Sequence, residues 1–243
     1  MTRDNIKRIS VWSGPRNIST ALMYSFAQRL DTKVFDEPLY AHYLRLSSAK
    51  SYHPGAEDIL NSMENDGDKV VDMMLNSYDY PVFFFKNMTH HLLDLDRRFM
   101  KQLTNVILTR DPLEMLPSFD KVIKNPNMDD VGYKLHIDLI EEFDRQHIEY
   151  IVLDAKNVLL NPECILRQFC KIINIPFDEN MLSWTPSKRI EDGVWAKYWY
   201  ANVHKSSGFA EYVPKSDPFP KHLIPLLEEC QPYYHKLQKL ALS

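Results

Sequence analysis

The chain has 243 residues, a formal net charge of −4, and only 6 glycines against 15 prolines. This length accommodates one large domain with a sizeable core, and the near-balanced charge argues against broad electrostatic binding to nucleic acid or to a membrane surface. Its 3 cysteines, at positions 164, 170 and 230, are too few and too scattered for a disulfide framework. We therefore expect reduced thiols and a cytoplasmic location.

The N-terminal segment Met1–Arg8 is charged and lacks the apolar core that a signal peptide needs. No apolar run in the sequence is long enough to cross a bilayer, so no membrane span is predicted. We see no linker, internal repeat or low-complexity segment. Residues 1–243 are therefore expected to form a single domain, and the oligomeric state stays open.

The first predicted element is a buried strand at Ile9–Trp12, followed by a turn at Gly14–Pro15 and by a helix over residues 21–26. The segment Asn17–Thr20 between them is typical of a helix start. A strand–loop–helix unit directs several backbone N–H groups and the positive end of a helix dipole toward one point, which suits a phosphate. The same pattern also fits an ordinary capped βα unit.

The chemistry of this loop narrows the kind of anion that it would bind. Arg16 supplies a positive charge, and Ser19 and Thr20 supply hydroxyl groups. The loop has no Gly-Lys-Ser/Thr, so the lysine and the magnesium-binding hydroxyl of a nucleoside-triphosphate loop are not both present. We therefore expect an anionic ligand that is bound without a metal.

Four further strands are predicted, and charged residues stand at or just past their carboxyl ends. The strands are Thr32–Phe35, Pro81–Lys86, Asn105–Arg110 and Tyr150–Leu153. The charged residues are Glu37, Lys86, Arg110 and Asp154. Because ligands bind at the carboxyl ends of strands in open α/β sheets, this set predicts a site for a polar ligand.

Helical patterns alternate with these strands. They cover Ala41–Ala49, Ala56–Asn65, Lys69–Asn76, Pro112–Phe119, Asp129–Gln146, Pro162–Ile173 and Lys221–Leu240. This alternation predicts an α/β fold with a doubly wound, mainly parallel sheet flanked by helices, a P-loop-like three-layer sandwich. The region 41–80 is expected to cover the ligand end of the sheet.

At this point the sequence resembles the sulfotransferases that use 3′-phosphoadenosine 5′-phosphosulfate (PAPS), from about residue 9 to the region of Gly208. Four segments carry the resemblance. The run Pro15-Arg16-Asn17-Ile18-Ser19-Thr20 is similar to the family's Pro-Arg-Ser-Gly-Thr-Thr loop, which holds the 5′-phosphosulfate. Arg110 and Ser118 match the Arg and Ser that hold the 3′-phosphate. Residues 85–90 resemble a Lys-x-Pro-x-His segment, and residues 152–177 resemble the stretch from Tyr-Glu-Asp-Leu to Phe-Leu-Gly-Leu-Pro.

The chain departs from the family pattern within two of these segments. Ile18 stands where the family usually has Gly, and Met88 replaces the Pro. A β-branched residue resists a positive φ, so the loop geometry and turnover depend on Ile18. A non-catalytic nucleotide-binding scaffold of the same fold is therefore an alternative. A small-molecule kinase is a further alternative, disfavoured by the missing Gly-Lys-Ser/Thr.

The resemblance implies transfer of a sulfuryl group from PAPS to a hydroxyl or amine of a small-molecule acceptor, with 3′-phosphoadenosine 5′-phosphate (PAP) as product and no metal. Loop residues would stabilise the leaving phosphate, and Lys86 would contact the transferred group. The general base would be Glu37, because many members carry a glutamate after the second strand, or His90, because the cytosolic branch uses a histidine after the third.

Two candidates also have structural interpretations. Lys86 fits a strand-end lysine whose amine reaches solvent, and Arg110 fits an ion pair with Asp111 or Glu114. In the late segment, Lys205, Ser207 and Gly208 are expected to close over the adenine and the 3′-phosphate. The aromatic run Trp195–Tyr200 fits either an acceptor pocket or a packed core helix.

Overall fold

The structure is a computed structural model that describes residues 6–243. The expectation that the N-terminal segment is not a signal peptide falls mostly on residues 1–5, which lie outside the described residues. Between residues 6 and 243, no helix has the length and apolar character that crossing a bilayer requires.

Five parallel strands form the sheet in the order β2-β3-β1-β4-β5. They are β1 (Lys7–Ser13), β2 (Thr32–Asp36), β3 (Val82–Met88), β4 (Thr104–Thr109) and β5 (Tyr150–Asp154). From the central β1 the chain passes to the edge strand β2, returns to β3 beside β1, and then crosses to β4 and β5 on the other side. The carboxyl ends of β1, β3 and β4 therefore border one crevice. The predicted doubly wound α/β fold is confirmed.

Eleven helices surround the sheet within the described range 6–243. They are α1 (Ser19–Phe26), α2 (Tyr40–Leu46), α3 (Ala56–Ser62), α4 (Gly67–Asn76), α5 (Pro112–Phe119), α6 (Met128–Val131), α7 (Tyr133–Gln146), α8 (Ala155–Leu160), α9 (Pro162–Ile172), α10 (Ala196–Trp199) and α11 (Ile224–Leu240). Short 3₁₀ turns connect several of them, among them Thr89–His91, Val203–Lys205 and Lys221–Leu223.

Alternation along the strands divides the core into two layers, one on each face of the sheet. Phe83 and Phe85 of β3 pack on the face covered by α4, α5, α7 and α11. Phe84 packs on the opposite face with Val11, against α1 and α9. A strand buried on both faces reads as a continuous apolar run, which is why β3 was recognisable in the sequence.

Some boundaries differ from the prediction for local reasons. The helix expected over Asp129–Gln146 is divided at Gly132, whose φ of +78° ends α6 and precedes α7. The last helix begins at Ile224, after a 3₁₀ turn, and α8 was not predicted at all. Of the cysteines, Cys164 is exposed while Cys170 and Cys230 are buried.

Candidate active site

A cavity of about 530 Å³ opens at the carboxyl ends of the central strands. Most of the side chains singled out in the sequence line it, namely Pro15, Arg16, Asn17, Ile18, Ser19, Thr20, Glu37, Lys86, His90, Arg110, Ser118 and Gly208. Lys205 and Ser207 do not belong to the lining and are exposed. Asp154 is also absent from it, because its carboxylate caps α8 through Lys156 N and accepts a hydrogen bond from Tyr234.

The loop between β1 and α1 has an unusual backbone. Arg16 and Ile18 adopt φ values of +56° and +60°, a left-handed conformation that is costly for residues other than glycine. The Asn17 side-chain amide anchors the loop by donating to the carbonyl of Leu108 (3.0 Å). Gly14 is packed so closely that an added Cβ would lie 2.7 Å from the carbonyl oxygen of Val131. In this anchored and closely packed loop, Ile18 holds the left-handed backbone conformation despite its branched side chain.

Arg16 connects this loop to the Arg–Ser pair of β4 and α5. Its Nε donates to the hydroxyl of Ser118 (3.0 Å), and its backbone carbonyl accepts a hydrogen bond from Nη1 of Arg110 (3.1 Å). Its Nη1 also donates to the carbonyl oxygen of Trp199 (2.9 Å). The β1–α1 loop and the Arg110–Ser118 pair thus form one continuous wall, although Arg16 and Arg110 are 94 residues apart in sequence.

Arg110 also forms the ion pair that was one interpretation of its sequence. Its Nη2 lies 3.0 Å from Oε2 of Glu114 on α5. The other oxygen of Glu114 accepts a hydrogen bond from the hydroxyl of Tyr212 (2.6 Å), and its backbone carbonyl accepts one from Nζ of Lys215 (2.6 Å). The Glu114 carboxylate therefore orients the Arg110 guanidinium within the cavity wall.

We name the positively charged part of the cavity the donor end, formed by Arg16, Arg110, Lys121 and Lys215. Burial lowers the pKa of Lys215, and the charge of Arg110 lowers it further; Glu114 raises it, whereas Lys121 and Arg16 lower it. These effects show that the four cations act on one region, where Glu114 pairs with Arg110 and Glu211 is the carboxylate in the lining. Such an excess of positive charge suits a ligand with more than one negative charge.

Lys86 is enclosed at the carboxyl end of β3 and does not reach solvent, with only 2% of its side chain exposed. Its Nζ donates to Asp36 Oδ1 (2.7 Å), to Glu37 Oε1 and to the hydroxyl of Tyr200 (2.7 Å). Burial opposes its charge, but the two carboxylates outweigh that effect and hold the pKa of Lys86 well above its ordinary value. The interpretation as a solvent-reaching lysine is therefore wrong.

Glu37 lies beside this ion pair, with its backbone in the left-handed region at φ +45°. Its second carboxylate oxygen is 4.0 Å from Nε2 of His91. Burial raises the pKa of Glu37, the charge of Lys86 lowers it, and the charge of Asp36 raises it again; the net direction is upward. A carboxylate with a raised pKa is a stronger base than one on the protein surface.

Three imidazoles and two phenols form an aromatic wall next to Glu37. The His91 ring stacks on Tyr40 and Tyr43, with centroids 4.9 Å and 4.8 Å apart, and His90 meets Tyr43 edge-on at 4.9 Å. His53 Nδ1 pairs with the hydroxyl of Tyr40 (2.7 Å). Burial, with smaller effects from neighbouring histidines, lowers the pKa of His90 to about 3, so this ring is neutral at physiological pH.

The sequence analysis did not single out several residues that shape the cavity. Lys121, Asp130, Tyr212 and Lys215 all line it. They stand in irregular or short elements without a recognisable motif, so no local signal identified them. Glu37 was visible after the second strand, but the hydrogen bond between its neighbour Asp36 and Tyr200 spans 164 residues and depends on tertiary structure.

Comparisons with known proteins agree with this architecture. The family model for the sulfotransferase domain matches residues 7–241. Branched-chain-amino-acid aminotransferase-like protein 1 of Arabidopsis thaliana is 39% identical over 234 residues, which are 95% of this chain and 41% of that protein. Branched-chain-amino-acid aminotransferase-like protein 2 of the same organism is 37% identical over 232 residues, again 95% of this chain and 41% of that protein. The chain thus spans about two fifths of the length of these curated relatives.

Among solved structures, the sulfotransferase domain from the curacin biosynthetic pathway is similar in fold, with a TM-score of 0.50 and 15% identity. The likeness covers 93% of this chain and 98% of that one. At this identity it bears on the fold alone, whereas the family model extends over nearly every residue from β1 to the end of α11. The chain belongs to the sulfotransferase domain family.

Proposed function

We propose that this protein transfers a sulfuryl group from PAPS to a small-molecule acceptor and releases PAP. The observation that carries the proposal is the hydrogen bond between Arg110 Nη1 and the carbonyl of Arg16 (3.1 Å). It joins a loop suited to a 5′-phosphate to an Arg–Ser pair suited to a 3′-phosphate along one wall of the cavity. The excess of cations at the donor end supports a ligand with two phosphate groups.

The reaction needs positioning and charge neutralisation more than covalent participation by the protein. In the proposed roles, Arg16, Ser19 and Thr20 hydrogen-bond the phosphate that leaves as the bond between sulfur and its bridging oxygen breaks. Arg110 and Ser118 hold the 3′-phosphate and thereby select PAPS over nucleotides without that group. Lys121 and Lys215 add charge on the same side.

Glu37 is the proposed general base and takes the proton of the acceptor hydroxyl as the new sulfur–oxygen bond forms. Its raised pKa supports this role. His90 is the weaker candidate because a ring with a pKa of about 3 binds a proton poorly near neutral pH. Lys86 lies in the cavity wall and partly neutralises Glu37 and Asp36. For the proposed contact with the sulfuryl oxygens, its ammonium would exchange one of its three hydrogen bonds, which go to Asp36, Glu37 and Tyr200.

Isothermal titration of PAP and of 5′-AMP into the purified protein tests the donor assignment. We expect PAP to bind at least about tenfold more tightly than 5′-AMP, since the 3′-phosphate gains charge-assisted hydrogen bonds. Arg110→Ala should remove this preference. Arg98→Ala is the matched control, because Arg98 is exposed and pairs with Asp96 outside the cavity. Equal affinity for the two nucleotides would overturn the proposal.

A second measurement separates an enzyme from a scaffold. PAP release from PAPS, followed with a panel of phenols, alcohols and amines, should depend on the presence of an acceptor. Tight PAP binding without transfer to any acceptor would instead favour the non-catalytic nucleotide-binding alternative. Magnesium-dependent ATP binding would favour a kinase.

A further inference from the structure

The part of the cavity away from the donor end differs from it in charge and in chemistry. We name it the acceptor end and define it by Glu37, Tyr40, His53, His90, Asp130 and Trp195, all of which line the cavity. An inference about this region rests on the proposed function, because it concerns the molecule that receives the sulfuryl group.

Asp130 is a buried carboxylate without a cationic partner. Its Oδ1 accepts a hydrogen bond from the hydroxyl of Tyr52 (3.0 Å), and its Oδ2 accepts one from the backbone N–H of Asn127 (2.9 Å). Among residues 6–243, no lysine, arginine or histidine lies within ion-pair distance of it. Only 7% of the residue is exposed. Its negative charge is therefore weakly screened and acts on whatever occupies the cavity.

Lys86 does not offset this charge, because its ammonium is shared between Asp36 and Glu37. Counting these four groups as ionised gives three carboxylates against one ammonium. The histidines add no positive charge near neutral pH, since burial lowers the pKa of His53 to about 4 and that of His90 to about 3. The acceptor end therefore has negative potential, whereas the donor end has positive potential.

The aromatic wall borders the acceptor end, and Trp195 extends it. Tyr40 and Trp195 meet edge-on with centroids 5.1 Å apart, and Tyr40 stacks on His91. Aromatic faces attract cations, and most strongly where water is excluded.

We propose that the acceptor is a small organic cation that carries a hydroxyl group: an ammonium on an aromatic or short aliphatic body. The ammonium lies against Asp130 and the aromatic wall, and the hydroxyl lies at Glu37. In the reaction, the hydroxyl oxygen forms a bond to sulfur while the bond from sulfur to the bridging phosphate oxygen breaks. The hydroxyl proton passes to Glu37, PAP leaves with the electron pair, and the ammonium is unchanged.

The test compares ligands that share a hydroxyl and differ in the charge of the group at the other end. One set is tyramine, p-ethylphenol and p-hydroxyphenylpropionate, and the other is ethanolamine, propanol and glycolate. Each is titrated into protein saturated with PAP, and each is then assayed for transfer from PAPS. We expect the cation of a set to exceed its neutral counterpart by about tenfold in affinity and in kcat/KM, and the anion to be weakest.

Asp130→Asn locates the effect. The amide oxygen can accept from the backbone N–H of Asn127 while the amide NH2 donates to the hydroxyl of Tyr52, so the change removes the charge and keeps two contacts. It should lower the preference for the cation about fivefold or more and leave binding of the neutral ligand nearly unchanged. Asp129→Asn is the matched control, since Asp129 is an exposed neighbour on the same short helix and does not line the cavity.

The outcomes are distinct. PAP affinity, measured first, reports on the proposed function; if PAP does not bind, the proposed function fails. If PAP binds but an anion binds as well as its cationic analogue, or neither cation binds, the inference about the acceptor is overturned while the donor assignment stands. If Asp130→Asn unfolds the protein, the comparison within each ligand set on the unmodified chain still decides the question.

Discussion

Glu37 is joined to Lys86 twice, through its side chain and through its backbone. Its carboxylate accepts a hydrogen bond from Nζ of Lys86, and its backbone N–H donates to the Lys86 carbonyl (2.7 Å). This double link is possible because Asp36 and Lys86 are register partners in the parallel pair β2–β3. The sheet itself therefore fixes the proposed base against the buried ammonium.

Replacing Glu37 by glutamine tests its role as base. The amide can still accept the hydrogen bond of Lys86, but it cannot take a proton, so we expect kcat to fall by about 10²–10⁴ while the Kd for PAP is unchanged. Turnover with a saturating acceptor and titration of PAP measure the two effects. His90→Gln is the companion variant and should cost much less; if Glu37→Gln keeps full turnover and His90→Gln does not, the base is His90.

Lys215→Ala tests the donor end at a residue without a recognisable motif. If Lys215 contacts the 3′-phosphate, its removal should weaken the binding of PAP by about tenfold and change the affinity for 5′-AMP by less than about threefold, because only PAP has that phosphate. The loss should be smaller at high ionic strength. Lys239→Ala, an exposed lysine on α11, is the control. An equal loss for both nucleotides would indicate general electrostatics.

Features that depend on neighbouring residues could be predicted from the sequence, whereas features that depend on contacts between distant residues could not. The strands and the β1–α1 loop were predicted because apolar runs and capping residues are local signals, and Arg110 and Ser118 were identified through the resemblance to the family pattern. The place of Asp130 in the cavity and the hydrogen bond from Tyr200 to Asp36 were not, because both depend on contacts of long sequence separation. Both interpretations of the run Trp195–Tyr200 apply, since Trp195 and Tyr200 line the cavity and also pack in a core cluster. Arg110 shows an intermediate case: both its ion pair and its place in the cavity were considered, and the structure contains both.

Ile18→Gly tests whether the departure from the family pattern impairs the loop. Ile18 already has the left-handed backbone at φ +60°, so glycine relieves strain without creating a new conformation. It also removes the packing of the Ile18 side chain against the core under α1. These effects oppose each other, and we expect the Kd for PAP to change by less than about threefold. PAP binding that appears only in the glycine variant would show that Ile18 disables the loop.

The buried histidines make stability depend on pH, and His136 allows this to be measured away from the cavity lining. His136 is fully buried on α7, and burial lowers its pKa to about 4, below the ordinary 6.5. Below pH 6.5 the unfolded chain binds a proton at His136 that the folded chain does not. The contribution of neutral His136 to stability is therefore fully present above pH 6.5 and is lost as the pH falls toward 4. Between these two values, each such histidine lowers the free energy of unfolding by about 1.4 kcal/mol per pH unit.

Urea unfolding at several pH values between 5 and 8 should therefore show the free energy of unfolding decreasing with acidity. In His136→Gln the slope below pH 6.5 should be smaller by about one proton, or about 1.4 kcal/mol per pH unit, because the substituted residue does not titrate. Ile137→Val, its neighbour on α7, is the control: it should lower stability by about 0.5–1.5 kcal/mol equally at every pH. An unchanged slope in His136→Gln would mean that His136 is already charged in the folded protein.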